Sequence, residues 1–156
     1  MIQPQFTYDT AEEPEPWYKR LSEKLVFVLN HDLFNRFEPD SVVSIAFIHD
    51  KQMKELNRLY RKKDTTTDVL TFPILEQNPE SFMVGEIIVS LDKARVDAKK
   101  FGISIEREIH QLIIHGLLHL VGFDHNNDLE EKEMELMEKK LLEQIPISEG
   151  VEGYAN

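Results

Sequence analysis

Residues 112–125 read Leu112-Ile113-Ile114-His115-Gly116-Leu117-Leu118-His119-Leu120-Val121-Gly122-Phe123-Asp124-His125, and they hold three of the chain's six histidines. The run is apolar almost all round, so the pattern predicts a buried helix. His115 and His119 are four apart and project from one face of that helix, about 5–6 Å apart at Cβ. That spacing suits two imidazoles gripping one metal ion. His125 cannot come from the same face. Gly122 resolves the geometry, because a glycine can take φ > 0, end the helix and turn the chain so that His125 returns to the same point.

Three imidazoles converging in apolar surroundings need a partner, and a divalent cation satisfies all three. Three nitrogen donors with a fourth position open are the pattern of catalytic zinc. A structural zinc site usually has four protein ligands, often cysteines, and the chain has no cysteine. A histidine pair at i, i+4 is often a surface or core accident; the full H-x-x-x-H-x-x-G-x-x-H spacing on an apolar helix is not. Metzincin proteases share this spacing but carry a general-base glutamate directly after the first histidine. Here that position is Gly116, so the metal frame is present and the protease base is missing.

Working outward, Ser104 caps the histidine helix, read as 105–121, with Glu106 in its first turn. His110 points away from the pair and reads as structural or surface; His31 and His49 have no partners at ligand spacing. After His125, Asn126-Asn127-Asp128 is a turn and cap for a helix at 129–144, whose stripe of Met134, Met137, Leu141 and Leu142 is core packing. Before the central helix, Asp92 is expected to cap a helix at 93–101 that uses Ala94, Val96, Ala98 and Phe101 for packing and ends at Gly102. Residues 84–91 and 69–73 are strands, close enough in sequence to pair as a hairpin. Residues 51–60 form a helix with Met53, Leu56, Leu59 and Tyr60 inward, and Asp50 can cap it. Its length suits a crossover between strands, suggesting a βαβ unit. Residues 41–48 are a β-branched strand, and 17–34 a helix with Trp17, Leu21, Leu25, Val28 and Leu29 on one stripe. Residues 2–7 alternate as a short strand that Pro4 confines to an edge. The fold class expected is α+β: a small mixed sheet of about four strands packed by helices, with the metal site at the end of a central helix.

The 156 residues, 41% of them hydrophobic, fit one domain, with 1–16 and 147–156 expected to be loose. No apolar run reaches the roughly 18 residues of a membrane span. The polar, acidic, proline-bearing start does not read as a signal peptide, and the lack of cysteine suits a reducing cytoplasm. The net charge of −11 argues against an indiscriminate nucleic-acid binder. Positive charge is local, however: Lys51, Lys54, Arg58, Arg61, Lys62 and Lys63 cluster along and after one helix. Part of that clustering simply favours the helix dipole.

The stretch from Leu56 to Pro73, with Arg61-Lys62-Lys63-Asp64-Thr65-Thr66-Thr67-Asp68-Val69-Leu70-Thr71-Phe72-Pro73 at its centre, resembles the signature of the YbeY family. So do Gly85-Glu86-Ile87-Ile88-Val89-Ser90 and the run from His115 to His125. The resemblance spans roughly residues 40–140 in matching order. It implies a bacterial, cytoplasmic, single-domain endoribonuclease that uses one zinc ion per chain and cuts single-stranded RNA. It further implies work on ribosomal RNA, including the 16S 3′ end, and in ribosome quality control, with the small subunit and its assembly factors as partners. On this resemblance His115, His119 and His125 bind zinc and Arg61 is the functionally important arginine. Two positions depart from the family pattern: Glu86 stands where an aspartate is common, and Thr71 where a serine is usual.

The resulting expectation is metal-assisted cleavage of RNA. Arg61 clamps the phosphate, and Lys54, Arg58, Lys62 and Lys63 hold the backbone. Asp124 and Glu86 are the candidates for a base, or for a carboxylate that orients a histidine. Two other readings stay open: a metal-dependent protease or other hydrolase, and a ribosome-associated RNA-binding module whose zinc is structural.

Overall fold

The computed structural model describes residues 1–9, 13–61 and 67–146. Among the described residues four strands, β1 (Gln3–Tyr8), β2 (Val42–Ile48), β3 (Val69–Pro73) and β4 (Met83–Ser90), form one sheet in the order β1-β2-β4-β3. β1, β2 and β4 run parallel, and β3 lies antiparallel to β4 as the other edge. Among the described residues the helices are α1 (Pro16–Leu29), α2 (Asp50–Arg61), α3 (Leu91–Phe101), α4 (Ile105–Leu120) and α5 (Asp128–Glu143). The architecture is therefore the expected α+β arrangement of a mixed sheet and helices.

Strand alternation divides the interior in two. Val43, Ile45, Phe47, Ile87 and Val89 point to one face, where α1, α4 and α5 cover them with Leu21, Leu25, Ile113, Leu117 and Met134. Ile48, Leu70 and Ile88 point to the other, against Met53 of α2. Each face thus removes a continuous apolar surface from water, the dominant favourable contribution to folding. α4 is the central element: it packs against β3, β4, α3 and α5.

Several expectations change in the folded chain. Within the start expected to be loose, the strand read at 2–7 is present as β1: it pairs with β2 along its length, and Ile2 is buried in the main core. Pro4 is accommodated because β1 is an edge. The tail 147–156 lies outside the described residues. The first helix stops at Leu29, and a separate 3-10 turn (Asp32–Arg36) follows, capped by His31 Nδ1 accepting from the Leu33 N–H. Ser90, not Asp92, caps α3; the Asp92 carboxylate instead accepts the Asp50 N–H at the start of α2 (2.8 Å). In return the Ser90 hydroxyl donates to the Asp50 carboxylate, so the two helix starts are tied together. Val96 and Phe101 face solvent on α3, as do Leu59 and Tyr60 on α2, where Asn57 is buried instead. The strands that α2 joins, β2 and β3, do not pair, because β4 sits between them. The β3–β4 hairpin does form. No helix is long and apolar enough to cross a membrane among the described residues.

Candidate metal centre

The C-terminal end of α4 is built to reverse the chain. Gly122 has φ +105°, its N–H donates to His119 O (3.1 Å), and the Phe123 N–H donates to Leu118 O (3.0 Å). This paired closure is the Schellman motif, which needs a left-handed residue just past the helix end. The same turn orients a candidate ligand, since Phe123 O accepts from His119 Nδ1 at 3.0 Å. Beyond it, Asp124 fixes the loop: Oδ1 accepts the His125 N–H (2.8 Å) and Oδ2 accepts Asn126 Nδ2 (2.9 Å). The His125 N–H beside it holds the Asp124 carboxyl below the usual carboxylate range.

These local choices bring His115, His119 and His125 together, each offering a ring nitrogen within 4.8 Å of the others. His115 is held from a different element: its Nδ1 lies 2.6 Å from Glu138 Oε1 on α5. Carboxylate and carbonyl accept only, so both Nδ1 atoms carry a proton, and in the neutral rings both Nε2 atoms present lone pairs. Those two Nε2 atoms are 3.1 Å apart. Two acceptors so close repel unless a cation lies between them. Nitrogens bound at about 2.05 Å to one tetrahedral zinc lie about 3.3 Å apart, close to this spacing. The donor set and its geometry therefore fit a divalent metal. Burial, then the neighbouring His115 and His125, push the His119 imidazole down, favouring the neutral form that donates to metal.

Gly116 backs the cluster onto the sheet. A Cβ there would come within 2.9 Å of Ile87 Cγ1 and Cγ2, so α4 and β4 approach closely only because this residue has no side chain. A glutamate at this position, as in the metzincins, does not fit.

In front of the histidines lies a cleft of about 720 Å³. Edge strand β3 forms its floor, the 124–126 loop and the end of α4 one wall, and Tyr60 part of its rim. On the α5 side a smaller hollow of about 240 Å³ is lined by Glu131, Glu135 and Glu138. The acidic flank faces one side of the histidines and the mixed cleft faces the other.

The remaining residues singled out in the sequence are placed as follows. Asp124 lines the main cleft. Glu86 is not brought there: alternation along β4 turns Ile87 to α4 and Glu86 to the opposite face, where it accepts from Ser44 Oγ (3.2 Å). Lys54 and Arg58 are exposed on α2, and Arg58 pairs with Glu55. Arg61 is the last residue of α2; its side chain, and Lys62 and Lys63, lie outside the described residues. Sequence reasoning missed Glu138. The available signal was spacing: Glu131, Glu135 and Glu138 share the α5 face beside buried Met134, which must turn toward α4.

A family model described as "Endoribonuclease YbeY" matches residues 8–146. A Staphylococcus carnosus protein named endoribonuclease YbeY is 36% identical over 144 residues, covering 88% of this chain and 92% of the relative. A Staphylococcus aureus protein of the same name is 36% identical over 137 residues, covering 83% and 86%. The solution structure of TM1509 from Thermotoga maritima is 30% identical, covers 97% of this chain and 99% of its own, and superposes with a TM-score of 0.62.

Proposed function

The chain belongs to the YbeY endoribonuclease family, and from that premise we propose that it is a zinc-dependent endoribonuclease specific for single-stranded RNA. Its setting is the cytoplasm, in maturation of ribosomal RNA, the 16S 3′ end included, and in ribosome quality control with the small subunit and its assembly factors. The single domain carries the catalytic site. The observation that carries the reading is the pair of Nε2 atoms 3.1 Å apart, each on a ring whose Nδ1 is already committed to an acceptor.

His115, His119 and His125 hold one zinc ion. When bound, it supplies Lewis acidity toward a phosphodiester oxygen and toward water. Glu138 fixes the His115 tautomer and raises its basicity; Phe123 O fixes that of His119. Asp124 anchors the loop bearing His125, and its low proton affinity suits that role better than base catalysis. Arg61, at the cleft end of α2, clamps the phosphate and meets the charge that develops in the transition state. Lys62 and Lys63, the next two residues in the sequence, add positive charge for the RNA backbone.

The protease reading loses its base, because Gly116 has no room for a glutamate against Ile87. The test is cleavage of single-stranded RNA by purified protein of measured zinc content, beside Arg61→Ala and His119→Ala. The expected result is cleavage by wild type alone, with zinc retained in Arg61→Ala. Equal cleavage by all three marks a contaminant and returns the binding-module reading.

A further inference from the structure

Tyr60 is the residue whose position the core does not explain. It sits in the last turn of α2, in step with Met53, Leu56 and Leu59, yet it is 65% exposed. The core on this side is already closed by Met53, Leu56 and Phe72. The Tyr60 ring stands edge-to-face on Phe72, with centroids 5.3 Å apart and planes at 71°. Phe72 is fixed in turn, because its place in the β3–β4 register points it to the α2 face, where it packs on the smaller core. One ring is thus anchored and holds the other at the cleft rim.

The cleft runs over the outer edge of β3, the edge strand among the described residues. On one side of that edge are Thr71 and the histidines; on the other are Phe72 and Tyr60. A chain crossing the edge touches both. We propose that Tyr60, propped by Phe72, is a stacking platform for one unpaired base of the RNA whose backbone lies at the histidines. This rests on the RNA reading given above.

A base offers a π-face whatever its identity, so stacking holds RNA without demanding a sequence. A base inside a duplex is already stacked on both faces and cannot reach the ring. The platform therefore provides a physical source of single-strand preference. Tyrosine suits the task because it has two side-chain torsions and loses little entropy on binding. Arg61 follows it directly in the chain, so the ring and the phosphate clamp belong to the same turn of α2.

The test uses the full chain at measured zinc content, a single-stranded oligoribonucleotide, and copies of it carrying one abasic ribose at successive positions. Tyr60→Leu keeps apolar bulk and removes the ring; Tyr60→Phe keeps the ring. Tyr60→Leu should raise KM by about 5- to 150-fold, the range of one base–aromatic stack, with the loss falling on KM rather than kcat. Tyr60→Phe should recover most of it. One abasic position should weaken wild type by a similar factor and add nothing to Tyr60→Leu. Equal KM for wild type and Tyr60→Leu, or additive effects of the variant and every abasic position, overturn the platform. A wild type that does not cut RNA at all overturns the nuclease reading instead.

Discussion

Gly116 reverses an ordinary rule. In an exposed helix interior, replacing glycine by alanine stabilises by about 1 kcal/mol. Here the new Cβ would press on a fully buried Ile87 at 2.9 Å. Overpacking of this kind costs about 1–3 kcal/mol, so it outweighs the propensity gain. Gly116→Ala should lower the denaturation midpoint, and should lower it by less in an Ile87→Ala background, which lacks both Cγ atoms. An unchanged or raised midpoint would show that α4 and β4 can separate without cost. Glu138 is tested through the metal itself. Partners of ligating histidines typically contribute 10- to 100-fold in affinity. Glu138→Ala should weaken zinc binding by about that factor in a chelator competition, with Glu138→Gln intermediate. Equal affinities would reduce the 2.6 Å contact to packing. The histidines were legible because ligand spacing is written locally, in two helical turns and a glycine. Glu138 was not, because a carboxylate on an amphipathic helix looks solvent-facing until its neighbour helix is known.

α4 carries a different kind of anchor at its other end. Glu106 is buried, and burial alone would resist its ionisation; Arg20 and Lys24 of α1 outweigh that at 3.1 Å each. The carboxyl is therefore held below its ordinary value of 4.5. A depressed carboxylate stabilises the fold above its unfolded pKa, and that stability is lost as pH falls through the folded value. Glu106→Gln removes the carboxylate that Arg20 and Lys24 share and should cost about 2–4 kcal/mol at neutral pH. The cost should shrink steadily below pH 4.5, read from urea titrations at several pH values. A pH-independent difference would mean that shape, not charge, joins α1 to α4. Most helices were readable from stripes and caps: the α1 stripe is buried throughout, and Ser104 caps α4 as expected. One cap was missed because two elements share a residue. Asp92 resembles a cap for its own helix, yet its carboxylate serves the start of α2, a partner that sequence order does not reveal.

Across the whole molecule, the class of fold was legible and the strand order was not. Period-2 and period-3.6 patterns are local, whereas placing β4 between β2 and β3 depends on which face each hairpin strand buries. The same non-local packing creates one ionisation that no motif announces. Glu108, on α4, is buried where α3 and the start of β3 meet that helix. Burial raises its carboxyl to about 7, and the charges of Asp97 and Asp68 add to the effect, against a partial offset from Lys93. The folded chain thus holds this proton more tightly than the unfolded chain, whose glutamate titrates near 4.5. Below that value both states are protonated and the residue is neutral in the balance. Between 4.5 and about 7 the unfolded state gains by ionising first, so stability falls as pH rises, and above that the loss levels off. The full loss is about 3 kcal/mol, from roughly 1.4 kcal/mol per pKa unit. Glu108→Gln removes the titration while keeping the shape. Its advantage over wild type should be near zero at pH 4, grow through pH 6 and plateau above pH 8. Comparing the two proteins at each pH and equal zinc loading cancels every contribution they share. A constant difference across that range would mean that water or a shifted Lys93 already relieves the charge where α3, α4 and β3 meet.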